Sequence, residues 1–433
     1  MKKLLVRVAR KALPPGTVKD LEANYRKTRL AVLNHYYGKP IKDLKVIAIT
    51  GTNGKTTTAN YINEILKEDG KKTAMFTTAL IEIDGKRKLN DYNATVPPVS
   101  VLQKFFAAAK RAKVDYVVLE ATSHALHQHK LDNVPFYMAI MTNLTQDHLD
   151  YHKDMESYAK AKGIMFAGEP KYIVLNRDDE WFEFYNKFNA QDLKITYGKD
   201  KSSTVRISDI KLYKKGTEAK IVADKERFEV ATSLPGEFNA YNMAAAIAAA
   251  SLLDVDPPEI QEGIANLEEL PGRFERAAEG LDYDIIIDYA HTPDALEKLL
   301  GSVKQFTKGK VALVFGATGD RDKAKRPIMG EIAAKGADKI YLTDEENYTE
   351  PADKIRMAVY GGIKDAGGES KTTEIADRRE AIKAAISGAR KGDTILITGM
   401  GHEVYRIVDG KKEPWNDKQV VQEILADINN EKS

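Results

Sequence analysis

The chain of 433 residues contains no cysteine. Disulfides, thiolate zinc sites and cysteine nucleophiles are therefore excluded, and the composition fits a reducing, cytoplasmic setting. Long apolar runs are also missing. LLVRVA near the N-terminus is too short and too charged for a signal-peptide core or a bilayer span, and no other stretch is long enough. An excess of one charge is lacking too: 66 Lys or Arg stand against 64 Asp or Glu, a net of +2. That balance gives no whole-molecule argument for a nucleic-acid partner. Repeats and low-complexity tracts are absent. What remains is a globular composition, 43% apolar, with length for two or three domains.

The uneven region is MKKLLVRVARKALPPGTVKDLEANYRKTRL, with nine Lys or Arg against two Asp or Glu. It suits a basic amphipathic helix in weak contact with an acidic lipid surface, or a solvated helix packed on the domain behind it. Residues 1–44 are too few for a domain with its own core.

From Lys45 onward apolar strands alternate with helical patterns. KVIAIT, TAMFTT, DYVVLE, YMAIMT and YIVLN read as buried strands, with TTTANYINEILKEDG and VSVLQKFFAAAKRAK as helices between them. This alternation predicts an α/β fold with a mostly parallel sheet. RISDIKLYKK, AKIVA and RFEVAT read as antiparallel strands, followed by an Ala-rich helix after LPGEFN. A second α/β series, DIIID, KVALVFG, KIYLT and TILITG, follows Pro271-Gly272, a plausible hinge. The expected organisation is a short helical extension (1–44), a central domain (45–270) and a C-terminal domain (271–433).

The stretch TGTNGKTT (50–57) joins the first strand to the first helix of this series. A strand, a glycine turn and a helix start make a phosphate cradle, because backbone N–H groups and the helix N-terminus face the anion. Gly51 and Gly54 let the backbone bend, and Lys55 can reach terminal phosphate oxygens. The Thr56 hydroxyl can ligate magnesium. Ile49 stands where the common phosphate loop has glycine, so the loop is a variant. Glu120 ends the strand DYVVLE, where a parallel sheet presents ligand-binding groups, and its carboxylate can hold magnesium. His148 and His152 have an i, i+4 spacing that puts both on one face if the segment is helical. A zinc hydrolase site is the competing reading, but HExxH is absent. The histidines of SHALHQH (124, 127, 129) suit substrate or structural roles. Lys162 reads plainly as a surface helix lysine.

TGTNGKTT resembles the nucleotide loop of the Mur ligase family. Further stretches narrow the resemblance: LEATSHALHQHKL, TNLTQDHLDYHKDMESYAKAK, LPGEFNAYNMAAA, LPGRFE, IDYAHTPDAL, FGATGDRDKAKRP, ADRREAI and GMGHEVY. Together they resemble the MurE branch, which adds the third residue of the peptidoglycan stem peptide. The resemblance runs from about Lys45 to the C-terminus. It implies a phosphate-loop ATP-binding central domain and a Rossmann-like C-terminal domain that closes over the site. It also implies the chemistry: the γ-phosphoryl of ATP passes to a carboxylate, and an amine attacks the acyl phosphate.

The resemblance assigns residues as follows. Gly51, Thr52, Asn53, Gly54, Lys55, Thr56, Thr57, Asn239, Asn242, Arg273, Asp288 and His291 meet ATP. Thr56, Glu120, His148 and Lys162 hold two magnesium ions, with Lys162 carrying CO2 as a carbamate. A lysine of depressed pKa near metal is neutral enough for that reaction, and Lys160 is its competitor. Thr95, Thr122, Gln128 and Lys130 hold the acceptor peptide, Lys130 replacing the family's usual arginine. Arg326 and Glu403 meet the incoming amino acid's carboxylate and amine, beside Gly399. The partners implied are a cell-wall precursor peptide and a free amino acid, and a monomer is expected.

Two departures stand out. Only 44 residues precede the first strand, against a full N-terminal domain that grips UDP in MurE enzymes, so UDP recognition is expected to be altered. TDEENYTE (343–350) replaces the diaminopimelate-type TDDNPRTE, so Tyr348 stands in place of an arginine that would meet a distal carboxylate. Glu345 and Glu346 would instead suit a second amine, favouring lysine or another diamine. The alternatives are a folylpolyglutamate synthase, a MurT-like amidating ligase (which typically has a four-cysteine zinc insert) and a non-catalytic nucleotide-binding scaffold.

Overall fold

The computed structural model describes residues 15–92 and 94–432. The leader MKKLLVRVARKALP, half of the basic stretch above, lies outside the described residues. The chain then forms a helix, Pro15–Tyr36, which packs against the helix Val99–Ala112.

The first sheet takes eleven strands: β1 (Lys45–Thr50), β2 (Thr73–Phe76), β3 (Leu80–Ile83), β4 (Lys86–Leu89), β5 (Tyr116–Glu120), β6 (Phe136–Met141), β7 (Tyr172–Asn176), β8 (Leu193–Gly198), β9 (Val205–Tyr213), β10 (Gly216–Ala223) and β11 (Glu226–Thr232). Their spatial order is β11-β10-β9-β8-β7-β6-β1-β5-β2-β3-β4. The stretch from β9 to β2 is parallel, and antiparallel ribbons extend both edges. In the ribbon β3–β4, Lys86–Leu89 is exposed and charged, so β4 lacks the apolar signal of a strand.

Strand β1 shows why the sheet is covered on both faces. Side chains alternate across a strand. Ile47 and Ile49 join one core with the helices Lys55–Glu68 and Glu237–Ser251, while Val46 and Ala48 join the other with the helix Val99–Ala112. The Ala-rich helix suits its place: Ala244 through Ala249 are fully buried, and small side chains let it lie close to the sheet and to its neighbouring helix.

The second sheet takes β12 (Glu275–Arg276), β13 (Asp284–Asp288), β14 (Val311–Phe315), β15 (Lys339–Leu342), β16 (Thr372–Glu374) and β17 (Thr394–Thr398) in the order β12-β13-β17-β14-β15-β16. All pairs but β12–β13 are parallel, with a core on each face. A hairpin, β18 (Tyr405–Val408) and β19 (Lys411–Pro414), follows. Loops after β1, β5 and β6 and loops after β13, β14, β15 and β17 line one cavity of about 1300 Å³. The carboxyl ends of the two parallel sheets thus meet, which is where α/β sheets present ligand sites.

Candidate active site

The cavity begins at the turn after β1. Gly54 caps the helix Lys55–Glu68 at φ 84°, and Gly51 has φ 150°. A Cβ at Gly54 would sit 2.4 Å from Asn242 Oδ1, and one at Gly51 would sit 1.8 Å from Thr142 Oγ1. Only glycine closes this turn, and the open concavity it leaves fits an anionic phosphate chain. Lys55 Nζ donates to Gly51 O (3.0 Å) and Thr52 O (2.7 Å) across the cradle. Thr56 and Thr57 head the helix and line the same space. Asn242 accepts from Thr58 (3.3 Å) and donates to Asn239 (3.0 Å), which bonds back to Leu234 and Pro235 carbonyls, so both asparagines buttress the loop.

Glu120, fully buried at the end of β5, accepts from the Thr78 amide (2.8 Å) and hydroxyl (2.9 Å). The Thr78 hydroxyl is also 2.7 Å from that of Thr95. A hard-oxygen ligand is thereby fixed in orientation, as magnesium needs. Lys162 is 1% exposed, whereas Lys160 is on the surface in an ion pair with Glu156 (2.6 Å). Lys162 Nζ donates to Gly51 O (2.8 Å) and lies 4.5 Å from the centre of the Tyr158 ring. Burial, then the Lys55 charge, hold its amine well below the usual lysine value.

His148 departs from the expected helix. It sits at φ 57° just before the short helix Leu149–His152, so the two histidines do not share a helix face. His152 turns inward to Ser123 Oγ (2.9 Å), while His148 borders the cavity with Nε2 3.3 Å from Asp147 Oδ2. Burial holds His148 well below its ordinary value, so it is a neutral donor suited to metal.

Asp147 was not singled out from the sequence, yet it is a hub. Lys325 donates to its Oδ1 (3.1 Å), both residues being buried, and His291 Nε2 lies 3.8 Å from its Oδ2. Burial alone would raise the carboxyl; Lys325, with His148 and His291, holds it far below the carboxylate range. Lys325 belongs to the second sheet's unit, so this pair ties the two units together. Arg273 Nη2 to Thr56 Oγ1 (3.2 Å), Asn53 Nδ2 to Asp294 Oδ2 (2.7 Å) and His402 Nε2 to Thr78 O (3.0 Å) do the same. Asp288 lines the cavity with both oxygens accepting backbone amides, from Phe274 and Ala290.

On the acceptor side, Thr95, Thr122, Gln128 and Lys130 all line the cavity. Thr122 caps the helix Ser123–His127, and Lys130 Nζ donates to Val96 O (3.0 Å). At the far end Glu346, Tyr348, Gly399 and Glu403 line the wall together with Arg321 and Tyr289. Tyr289 donates to Glu403 (3.0 Å) and Tyr348 to Glu346 (3.1 Å). Burial first, and then Glu346, push Glu403 well above the usual carboxylate value.

Two expected substrate contacts are corrected here. Arg326 does not line the cavity: its guanidinium is bidentate to Glu350 (2.9 and 2.8 Å), a neighbour the sequence pattern did not pair with it. Arg321 lines the cavity in its place, 5.2 Å from the Tyr348 ring centre. Glu345 lies behind the wall, its oxygens taken by the Gly316 amide (3.1 Å) and Thr318 hydroxyl (3.3 Å). Gly399 leaves it room, since a Cβ there would come within 2.1 Å of Glu345 Oε1.

A phosphate loop on one sheet, a carboxylate and a suppressed lysine beside it, and a second α/β unit closed over them define a nucleotide-dependent enzyme that gathers several anions. Residues 49–250 match the Mur ligase middle domain and residues 272–401 the Mur ligase glutamate ligase domain. The chain is 41% identical over 413 residues to UDP-N-acetylmuramoyl-L-alanyl-D-glutamate--2,6-diaminopimelate ligase of Bacillus cereus, covering 93% of this chain and 82% of that one. A solved structure of a ligase of the same name is similar at TM-score 0.63 and 31% identity, covering 95% and 83%. Mycobacterium tuberculosis folylpolyglutamate synthase complexed with ADP shares the fold, at TM-score 0.73 and 20% identity over 88% and 95%. The chain belongs to the Mur ligase family. Members are ATP- and magnesium-dependent, ADP-forming ligases.

Proposed function

We propose that this chain is a MurE-type ligase. It phosphorylates a carboxylate of a nucleotide-linked peptide precursor with ATP and joins it to the amine of a free amino acid. The observation that carries this reading is the single cavity holding the nucleotide loop, Glu120 and Lys162 between the acceptor wall at Lys130 and the acidic wall at Glu403.

The chain's residues divide the work. The loop from Gly51 to Thr57 and Lys55 hold the triphosphate, and Asn239, Asn242, Arg273, Asp288 and His291 border it. Thr56, Glu120, His148 and a carbamate on Lys162 would hold two magnesium ions, which supply positive charge where phosphoryl oxygens crowd together. Lys162 fits the carbamate: its amine is buried, lowered by burial and then by Lys55, and it lines the same cavity as Glu120. Thr95, Thr122, Gln128 and Lys130 place the acceptor carboxylate. Asp147 orients Lys325 and His291 at the closing face. Catalysis is chiefly positioning and electrostatic stabilisation in a water-poor cleft.

The amino acid is read as a diamine of the lysine class. Glu346 and Glu403 are two buried acids, each held above the usual carboxylate value, that one distal ammonium would draw into the ionised form, and Tyr348 is neutral. Arg321 supports a second reading, diaminopimelate, the substrate in the relatives' names, because a guanidinium there can meet a distal carboxylate. An acceptor-by-amino-acid matrix with mass detection tests both. Product is expected only with ATP, a muramoyl dipeptide acceptor and a diamino acid. No product with any dipeptide acceptor, or product with a folate acceptor, would overturn the reading.

A further inference from the structure

The chain's small net charge hides an uneven distribution. Residues 1–44 carry 11 Lys or Arg against three Asp or Glu, a net of +8, so the remaining residues carry a net of −6. The described part of this basic region is the helix Pro15–Tyr36. Leu30 is buried at 1% exposure. At about 100° per residue, Leu21, Val32 and Tyr36 fall within about 60° of one another, and Leu30 lies nearly opposite Leu21. Those three are 52%, 62% and 78% exposed. Val18, at the same angle as Tyr36, is buried at 6% exposure, so the outward apolar stripe runs from Leu21 to Tyr36, opposite the side that Leu30 seats on the protein. Arg29 borders the outward stripe, and Lys39 and Lys42 follow it, all exposed.

We propose that this outward face docks on an anionic membrane surface, its apolar side chains entering the headgroup boundary and its cations meeting lipid phosphates. Charge complementarity selects this occupant. A surface of net −6 on the rest of the chain would not gather at an anionic bilayer, whereas the +8 region would, since cations near the lipid are drawn to its negative surface potential. Within that region residues 15–44 alone carry six Lys or Arg against three Asp or Glu, so the helix and the turn after it combine cations with the apolar stripe, the two signals that stable surface binding needs. No helix among the described residues is long and apolar enough to cross a membrane, so the contact is peripheral. The helix also borders the catalytic cavity's acceptor side. It packs on Val99–Ala112, which directly follows the wall residues Ala94, Thr95 and Val96, and the Arg26 charge, after burial, depresses Lys130. Docking would thus hold the acceptor side of the enzyme close to the lipid.

The proposal stands independently of which substrate is ligated. The test is sedimentation of the full chain with phosphatidylcholine vesicles, alone or mixed with phosphatidylglycerol. Partition onto the mixed vesicles is expected to be at least about tenfold stronger and to fall in high salt. The triple variant Leu21→Gln, Val32→Gln, Tyr36→Gln should lose that tenfold gain while keeping its melting temperature and its turnover of a soluble acceptor. As a second measure, Tyr36→Trp should shift its emission to the blue on the anionic vesicles. Equal partition onto both vesicle types, or unchanged binding by the triple variant, would overturn the proposal. So would a concentration-dependent dimer that the triple variant abolishes, since the stripe would then belong to a second copy of this chain.

Discussion

Lys160 and Lys162 are two positions apart, yet one is a surface ion pair and the other is sealed under the nucleotide loop. Sequence periodicity alone leaves that choice open, because the helix Met155–Ala167 has small or apolar residues on several sides. Packing against Tyr158 and Gly51 decides it. Lys162→Ala is therefore expected to reduce ligation by at least about a hundredfold, with partial rescue by acetate supplying a carboxylate. The pH dependence has a definite sign. The amine is lowered by burial and Lys55, so its neutral, CO2-accepting form grows as pH rises, and ligation should climb on the acid limb. Full ligation by the alanine variant, read as ADP and product formed, would remove the carbamate. Arg321 teaches a related lesson. Within GDRDKAKRP two arginines and two lysines compete for the pocket, and the order of residues does not say which is spent on Glu350.

The phosphate turn is the element most legible in advance, since a glycine-bounded loop between a strand and a helix has few other uses. Its cost is also predictable. Gly54→Ala must hold a left-handed φ, worth about 1–2 kcal/mol, and press a methyl into Asn242. Stability should fall by that order in denaturant titrations, and nucleotide affinity by about tenfold or more. Adding Asn242→Ala should recover part of the affinity by making room, but not the backbone term; wild-type affinity in Gly54→Ala would sink this account. By contrast, the segment after β6 departs from its sequence pattern. An i, i+4 pair of histidines suggests one helical face, but the left-handed His148 lies just outside the helix, so the two rings, though both pack near His124, take different partners: Ser123 for His152 and Asp147 for His148. Left-handed backbone at a non-glycine residue has no sequence signature strong enough to override periodicity.

At the scale of the whole molecule, two α/β units are held together by a few buried polar bonds, among them Lys325–Asp147. Removing one partner of a buried pair leaves an uncompensated charge and costs about 3–5 kcal/mol. The units can escape that cost by parting. Lys325→Met should therefore enlarge the radius of gyration in small-angle scattering and abolish ligation, whereas Lys325→Met with Asp147→Asn should return to the compact form while remaining inactive. Unchanged scattering in the single variant would show that other contacts suffice. The sequence by itself determined the α/β alternation, the phosphate turn, the terminal carboxylate of β5 and family membership, because these are local patterns of period, glycine and strand end. Only the tertiary structure decided the partners of Asp147, the fates of Arg321, Arg326 and Glu345, and the burial of Lys162. Each depends on residues distant in the chain or on the packing of one side chain among several rivals, and local sequence does not encode which rival wins.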